Sequence, residues 1–113
     1  MFKLIQWQWN EYQDFHANKS NLLIHIIAVP ANLAAQISVA WAVLDANWFL
    51  LALSLLVVVA SIAVQGIGHK KERNPSIPFS SPWNALSRLM VEQWINFPRY
   101  VFSGAWWRAW KQA

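Results

Sequence analysis

Two long segments without any charged residue constrain the fold of this chain most strongly. No Asp, Glu, Lys or Arg occurs between Lys19 and Asp45, and none occurs between Asp45 and Lys70. Each segment exceeds the roughly 20 residues that an α-helix needs to cross the core of a bilayer. Residues 48–64 are apolar except for two serines, so a helix there is apolar on every side. We therefore predict an integral membrane helical hairpin, with two spans, that turns near Asp45.

The remaining segments complete a single all-α membrane domain. An amphipathic N-terminal helix rich in aromatic residues precedes the first span, and helices that rest on the membrane interface follow the second. A polar, proline-rich loop connects the second span to the interfacial helices, and Pro98 is expected to break the C-terminal helical region in two. The predicted domain covers residues 1–113, with spans at about 21–44 and 47–66, the loop at 70–82 and interfacial helices at 83–112.

Most of the positive charge lies on one side of the predicted hairpin. The formal net charge is +4, and only Lys3 and Lys19 precede the first span, while seven basic residues follow from Lys70 onward. The positive-inside rule therefore places both termini and the open end of the hairpin in the cytoplasm. This corresponds to the inner membrane of a bacterium or the endoplasmic reticulum of a eukaryote. A tail rich in Trp and Phe fits a lipid surface, and we expect no nucleic-acid partner.

The three histidines of the chain lie near the open end of this hairpin. His25 lies early in the first span and His69 follows the second, so an antiparallel hairpin places them at similar depth. His16 lies nine residues before His25, and on one straight helix the two would point in opposite directions. All three can share a site only if the chain bends near residues 19–21.

This pattern indicates a metal site made of nitrogen and oxygen ligands. Cysteine is absent from the chain, which excludes thiolate ligands. Three imidazoles, with Glu72 as an optional carboxylate, suit Fe(II) or Zn(II), and the spacing alone does not decide between these metals. Asn21 and Gln65 each lie one helical turn before a histidine and could orient its ring.

Simpler interpretations of the same residues remain open. A histidine at a membrane interface is commonly just an amphipathic side chain. Lys70 and Arg73 are explained most simply as flanking charges, although either could bind a substrate carboxylate. Glu92 lies in an amphipathic helix and is expected to be solvated. A pair of histidines binding haem is a weaker alternative.

The motifs resemble a known family of small membrane enzymes, the 2-hydroxy-fatty-acid dioxygenases, which include the yeast enzyme of phytosphingosine breakdown. The resemblance covers roughly residues 12–98. Two positions depart from the family pattern, Ala28 before the first proline and Ser76 after the second, and neither is a candidate ligand. The residues that carry the resemblance are Tyr12, His16, Asn21, His25 and Pro30, followed by the run Gln65-Gly66-Ile67-Gly68-His69 with Glu72 and Pro75.

The resemblance implies an Fe(II)-dependent α-oxidation. Dioxygen and a 2-hydroxy fatty acid would give carbon dioxide and the fatty acid one carbon shorter. It further implies that His16, His25 and His69 bind the metal and that Glu72 is a fourth ligand or an acid–base group. The substrate's acyl chain would lie along the spans, in contact with membrane lipid.

Two alternatives of other classes remain at this point. The first is a zinc-dependent lipid hydrolase that uses the same pocket. The second is a small membrane protein without catalytic activity that binds lipid or a protein partner. A homo-oligomer is also compatible with the sequence, because two spans alone form a thin wall around a site.

Overall fold

A computed structural model describes residues 2–113 and shows a helical hairpin whose open end is covered by shorter helices. Helix α1 (Phe2–Asn10) is followed by a 3-10 turn at Tyr12–Phe15. The two long helices α2 (Lys19–Leu44) and α3 (Trp48–His69) come next. The C-terminal part contains α4 (Pro82–Val91), a π-helical turn at Glu92–Asn96, α5 (Phe97–Phe102) and α6 (Ala105–Gln112). The all-α prediction is confirmed.

The two long helices begin where asparagine side chains cap them. Asn18 accepts a hydrogen bond from the backbone N–H of Asn21, and Asn47 accepts one from Leu50. Such caps satisfy backbone donors that have no partner inside the helix. Pro30 lies inside α2, and the helix continues through it. The segments expected to span a membrane, residues 21–44 and 47–66, lie within these two helices except for the cap residue Asn47.

Both long helices are long and apolar enough to cross a membrane. In the most apolar stretch of α2 only 33% of the residues are buried, and in the corresponding stretch of α3 only 17% are buried. Their outward faces carry large apolar side chains, including Ile27, Phe49 and Leu56, which are each more than half exposed. A continuous apolar surface of this kind is suited to contact with lipid. The fold is therefore compatible with a membrane protein.

A polar network joins the middle of the hairpin to the C-terminal region. Asn32 of α2 donates a hydrogen bond to the hydroxyl of Ser61 on α3, at 2.7 Å. The side-chain amide of Gln36 donates a hydrogen bond to the side-chain oxygen Oδ1 of Asn32 and accepts one from the indole N–H of Trp94, at 2.8 Å. The C-terminal region therefore packs along the side of α2 in addition to covering the hairpin's open end.

Pro98 does not break the C-terminal helical region, and that prediction is wrong. Helical structure continues from Pro82 to Phe102, with a π-helical turn immediately before Pro98. The wider turn accommodates a residue that lacks a backbone N–H. The break occurs instead at Gly104, whose φ of 83° lies in the left-handed region that favours glycine.

The C-terminal helices cover the open end of the hairpin and pack against the start of α2. Phe97 and Tyr100 of α5 are 2% exposed and pack against Leu22 and Tyr12. The indole N–H of Trp106 donates a hydrogen bond to the carbonyl oxygen of Leu22, at 3.1 Å. The C-terminal helices and the N-terminal turn thus form one core with the start of α2.

Candidate metal centre

Four side chains from four separate segments meet at the open end of the hairpin. The possible ligand atoms of His16, His25, His69 and Glu92 all lie within 4.8 Å of one another. The three imidazole centroids are separated by 4.7–4.8 Å, and the rings are nearly perpendicular to each other. Rings in such close mutual contact leave no space for a flat haem macrocycle between His25 and His69.

The bend that brings His16 to this cluster lies just before α2. The 3-10 turn ends at Phe15, and α2 begins at Lys19 after the cap residue Asn18. His16 lies in the non-helical link, where its φ of −137° and ψ of 59° redirect the chain. The break is thus present, immediately before the predicted residues 19–21. The structure brings all three histidines together as their positions in the sequence predicted.

Backbone carbonyls occupy Nδ1 of two imidazoles. Nδ1 of His16 lies 2.7 Å from the carbonyl oxygen of Tyr12, and Nδ1 of His25 lies 3.0 Å from that of Asn21. A carbonyl oxygen can only accept a hydrogen bond, so each Nδ1 carries the proton. In the neutral form of each ring this leaves the lone pair on Nε2, the nitrogen that a metal ion would bind. This is the arrangement in which protein histidines bind metals.

The nitrogens directed at the cluster are buried without a hydrogen-bonding partner. Among residues 2–113, no donor or acceptor satisfies Nε2 of His16, Nε2 of His25 or Nδ1 of His69 in hydrogen-bonding geometry. Buried polar atoms without partners are uncommon in folded proteins and call for a physical explanation. A bound divalent cation would satisfy all three nitrogens, so the residues fit the metal that the sequence predicted.

Glu92 supplies the carboxylate of the cluster, and the expectation that it is solvated is wrong. Its side chain is 12% exposed, and Oε2 lies 3.1 Å from Nε2 of His16. Burial alone would raise the pKa of Glu92, but the adjacent ring of His16 and the rings of His25 and His69 outweigh that effect and hold the pKa at about 2. The carboxylate is therefore ionised and available as a metal ligand.

The π-helical turn places Glu92 at the cluster. Gln93 and Gln65 of α3 form two reciprocal amide hydrogen bonds of 3.0 and 2.7 Å. Both amides are buried, so this pair anchors the turn to α3 next to His69. The side chain of Gln65 therefore binds Gln93, the neighbour of Glu92. Within residues 2–113 it makes no hydrogen bond to a histidine ring, which is the role that the sequence suggested for it. Pro98, which indicates a local change in helix geometry, is the one sequence signal for this turn.

Glu72 lies outside the four-residue cluster and organises the start of α2. Its carboxylate accepts hydrogen bonds from the backbone N–H groups of Ala17 and Asn18, all at 2.9–3.0 Å. It also accepts one from the side-chain amide of Asn21, at 2.6 Å. A negative charge at this end of α2 is favoured by the helix dipole. Glu72 thus binds the two residues that follow His16 and holds the segment between His16 and α2 in place.

Asn21 connects this support to the metal cluster. Its backbone carbonyl accepts from His25 Nδ1, while its side chain binds Glu72. Gly68 of α3 allows the close approach, because a Cβ there would overlap Oδ1 of Asn21 and lie 3.3 Å from Cδ1 of Ile24. The backbone carbonyl of Asn21 thus contacts His25, while its side-chain amide, for which the role in orienting a histidine was predicted, binds Glu72 instead.

A cavity of about 460 Å³ opens beside the cluster. His16, His69 and Glu92 form part of its wall, while His25 lies behind them, fully buried. Most of the remaining lining is apolar or aromatic, as in pockets that hold small apolar ligands. One end of a ligand in this cavity would lie against the cluster.

The basic residues around the cavity differ in part from those predicted. Lys70 lines it, whereas Arg73 lies in a separate, polar surface pocket. Arg88 lines the cavity and was not singled out from the sequence. Its guanidinium lies 4.5 Å from the ring centroid of Phe79 and 5.2 Å from that of Trp7. Arg88 lies in the amphipathic helix α4, and the sequence pattern of such a helix does not show which of its basic residues faces a cavity.

Comparison with known proteins identifies the family of this chain. A family model described as "2-hydroxy-palmitic acid dioxygenase Mpo1-like" matches residues 2–99. The chain belongs to the Mpo1-like family. The match confirms the predicted resemblance and contains all four residues of the cluster. No curated protein and no solved structure gives a significant match.

Proposed function

We propose that this chain is an Fe(II)-dependent membrane dioxygenase that shortens 2-hydroxy fatty acids by one carbon. The description of the Mpo1-like family names a dioxygenase and 2-hydroxy-palmitic acid. The donor set of three imidazoles and one carboxylate suits a non-haem iron, and the open cavity beside it leaves space for substrate. His16, His25, His69 and Glu92 are the proposed ligands.

One observation carries this proposal above the others. The Nδ1 atoms of His16 and His25 are both used by backbone carbonyls, and their buried Nε2 atoms lie in one cluster with a carboxylate and a third imidazole, without a partner in hydrogen-bonding geometry among the described residues. A protein that used these histidines only for packing or for contact with lipid would have no reason to bury three unsatisfied nitrogens together.

The overall reaction balances without a further reductant. One 2-hydroxy acid and one dioxygen molecule give the acid one carbon shorter, one carbon dioxide and one water. The bond between the carboxyl carbon and the hydroxyl-bearing carbon breaks, the latter carbon is oxidised to a carboxyl group, and dioxygen is reduced. Iron(II) held by the four ligands supplies a Lewis acid for the two substrate oxygens and the redox chemistry for dioxygen.

The protein residues bind and orient the substrate. The apolar walls of the cavity take the acyl chain and exclude water. Lys70 and Arg88 are the basic residues of a lining that also contains Glu11, Glu72 and Glu92, and either could pair with the carboxylate of an acidic ligand. The hydroxyl of Tyr12 is buried, and burial, together with the Glu92 carboxylate, raises its pKa well above 10. Tyr12 can therefore donate a hydrogen bond but does not act as a base.

We assign Glu72 a supporting role in this proposal. Its oxygens already accept hydrogen bonds from Ala17, Asn18 and Asn21. An additional proton or metal would weaken those bonds and release the link that carries His16. The predicted role of Glu72 as a ligand or acid–base group is therefore transferred to Glu92.

The proposed setting is a membrane with the site near its cytoplasmic face. Helices α2 and α3 would span the bilayer, and both termini would be cytoplasmic because the basic residues lie at that end. The acyl chain of a membrane-dissolved fatty acid would then reach the cavity without leaving the apolar phase.

Reconstitution with different metals tests the proposal. The purified protein is made metal-free, loaded anaerobically with Fe(II) or with Zn(II), and given 2-hydroxypalmitate with and without dioxygen. We expect pentadecanoic acid only from the iron-loaded protein in the presence of dioxygen. Hydrolysis of lipid esters by the zinc-loaded protein, without this oxidation, would instead favour a hydrolase.

A further inference from the structure

Helix α3 carries two glycines near its end, and their surroundings differ. Gly68 is required by packing, because a Cβ there would overlap Asn21. A Cβ at Gly66 would meet no atom within 4 Å among the described residues outside its immediate helix neighbourhood. A glycine inside a helix lowers helix stability relative to alanine. Packing within this chain therefore does not explain the missing side chain at Gly66.

Gly66 is exposed and is one of the residues that line the cavity. Ile62, Gly66 and His69 all line it, and their spacing of four and three residues places them on one face of α3. A helix rises about 1.5 Å per residue, so Ile62 lies about 10 Å from His69 along the helix axis. The α3 wall of the cavity therefore runs from the metal cluster toward the apolar middle of the helix.

We propose that Gly66 keeps open a channel for the acyl chain of the substrate. The chain, with its polar end at the cluster, passes directly over the Cα of Gly66 and continues toward Ile62. Trp7 and Phe79 provide aromatic surface elsewhere in the same cavity, which suits a hydrocarbon ligand. This inference rests on the proposed function, because it takes a 2-hydroxy fatty acid as the ligand.

Binding to the metal-free protein tests the channel separately from catalysis. Protein in lipid nanodiscs is titrated with 2-hydroxyhexadecanoic acid and with 2-hydroxyhexanoic acid, whose short chain ends before Ile62. Gly66→Phe should weaken binding of both acids by about tenfold or more, which corresponds to the lost contact of about two methylene groups. Ile62→Trp should weaken binding of only the longer acid.

A matched control separates a filled channel from a general effect of bulk. Ala60 of α3 is exposed and does not line the cavity, so Ala60→Phe should bind both acids as the parent does. Iron affinity and unfolding temperature of each variant check that the cluster and the fold are intact. If Gly66→Phe does not fold, Gly66→Val must show the loss.

Parent-like binding of 2-hydroxyhexadecanoic acid by a folded Gly66→Phe or Gly66→Val protein would overturn the channel. An equal loss of acid binding in the control variant Ala60→Phe would also overturn the channel. If the channel variants behave as expected but the iron-loaded parent forms no product, the proposed dioxygenase activity fails and the acyl-binding channel stands.

Discussion

Oε2 of Glu92 lies 3.1 Å from Nε2 of His16, although the two residues come from opposite ends of the chain. Two atoms bound at right angles to one metal ion, each at about 2.1 Å, are about 3 Å apart. The pair therefore has the separation of neighbouring metal ligands, with His25 and His69 completing the donor set. If this cluster binds the metal we propose, folding of the C-terminal helices and formation of the site are coupled, because Glu92 lies in the C-terminal region.

Metal binding should stabilise the parent protein and not a variant that lacks one ligand. At an iron concentration 100 times the Kd, binding to the folded state alone adds about 2.7 kcal/mol to the free energy of unfolding. We expect this gain for the parent and its loss in His25→Ala. Denaturant unfolding in detergent, with and without Fe(II), measures it. An equal gain in His25→Ala would show that iron binds elsewhere.

The two buried glutamates should respond differently to the same substitution. Glu92→Gln should lower iron affinity by at least the roughly 10- to 100-fold that loss of a supporting partner costs, because it removes the carboxylate ligand itself. Glu72→Gln should instead destabilise the metal-free protein by about 1–3 kcal/mol, because its oxygens hold the start of α2.

Metal analysis and thermal unfolding of the two glutamine variants, made in parallel, provide the comparison. If Glu72→Gln abolishes iron binding in a protein that is as stable as the parent, Glu72 is the ligand and our assignment of Glu92 is incorrect.

Replacing each of the two glycines near the end of α3 with alanine should have different effects on the free energy of unfolding. Gly68→Ala forces its Cβ into the side chain of Asn21 and should cost about 1–3 kcal/mol. Gly66→Ala meets no described atom and should be neutral or stabilising by up to about 1 kcal/mol. The free energies of unfolding of the metal-free proteins decide this. Equal destabilisation by both substitutions would contradict the helix packing described here.

The reciprocal amide pair should show strong coupling between its members. Gln65→Leu or Gln93→Leu alone leaves the other amide buried without a partner, at a cost of about 1–3 kcal/mol. The double leucine variant should be more stable than the two single losses would predict, by about 0.5–3 kcal/mol. It should nevertheless bind iron less tightly, because Glu92 loses the anchor beside it. Additive losses of stability would refute the coupling.

The hydrophobic pattern was sufficient to predict the hairpin and the meeting of its histidines. Charge-free segments define the helices, and an antiparallel hairpin necessarily brings His25 and His69 to one end. The bend before α2 followed from requiring His16 to join them. These inferences depend only on helix geometry and local sequence.

The contribution of Glu92 could not be predicted in this way. A carboxylate in an amphipathic helix ordinarily faces water, and its orientation here depends on a π-helical turn held by Gln65 and Gln93, which are distant in sequence. Glu72, closer to His69 in the sequence, was the natural candidate. Its carboxylate binds the N–H groups at the start of α2, a contact that depends on how the loop folds back.

The most direct test of the account follows the carboxyl carbon of the substrate. Iron-loaded protein is given 2-hydroxypalmitate labelled with carbon-13 at its carboxyl carbon, and mass spectrometry follows the label, with His69→Ala as the control. The account predicts labelled carbon dioxide and unlabelled pentadecanoic acid in equal amounts from the parent, and neither from the variant. Label retained entirely in the sixteen-carbon acid, with folded, iron-loaded parent protein and dioxygen present, would contradict it.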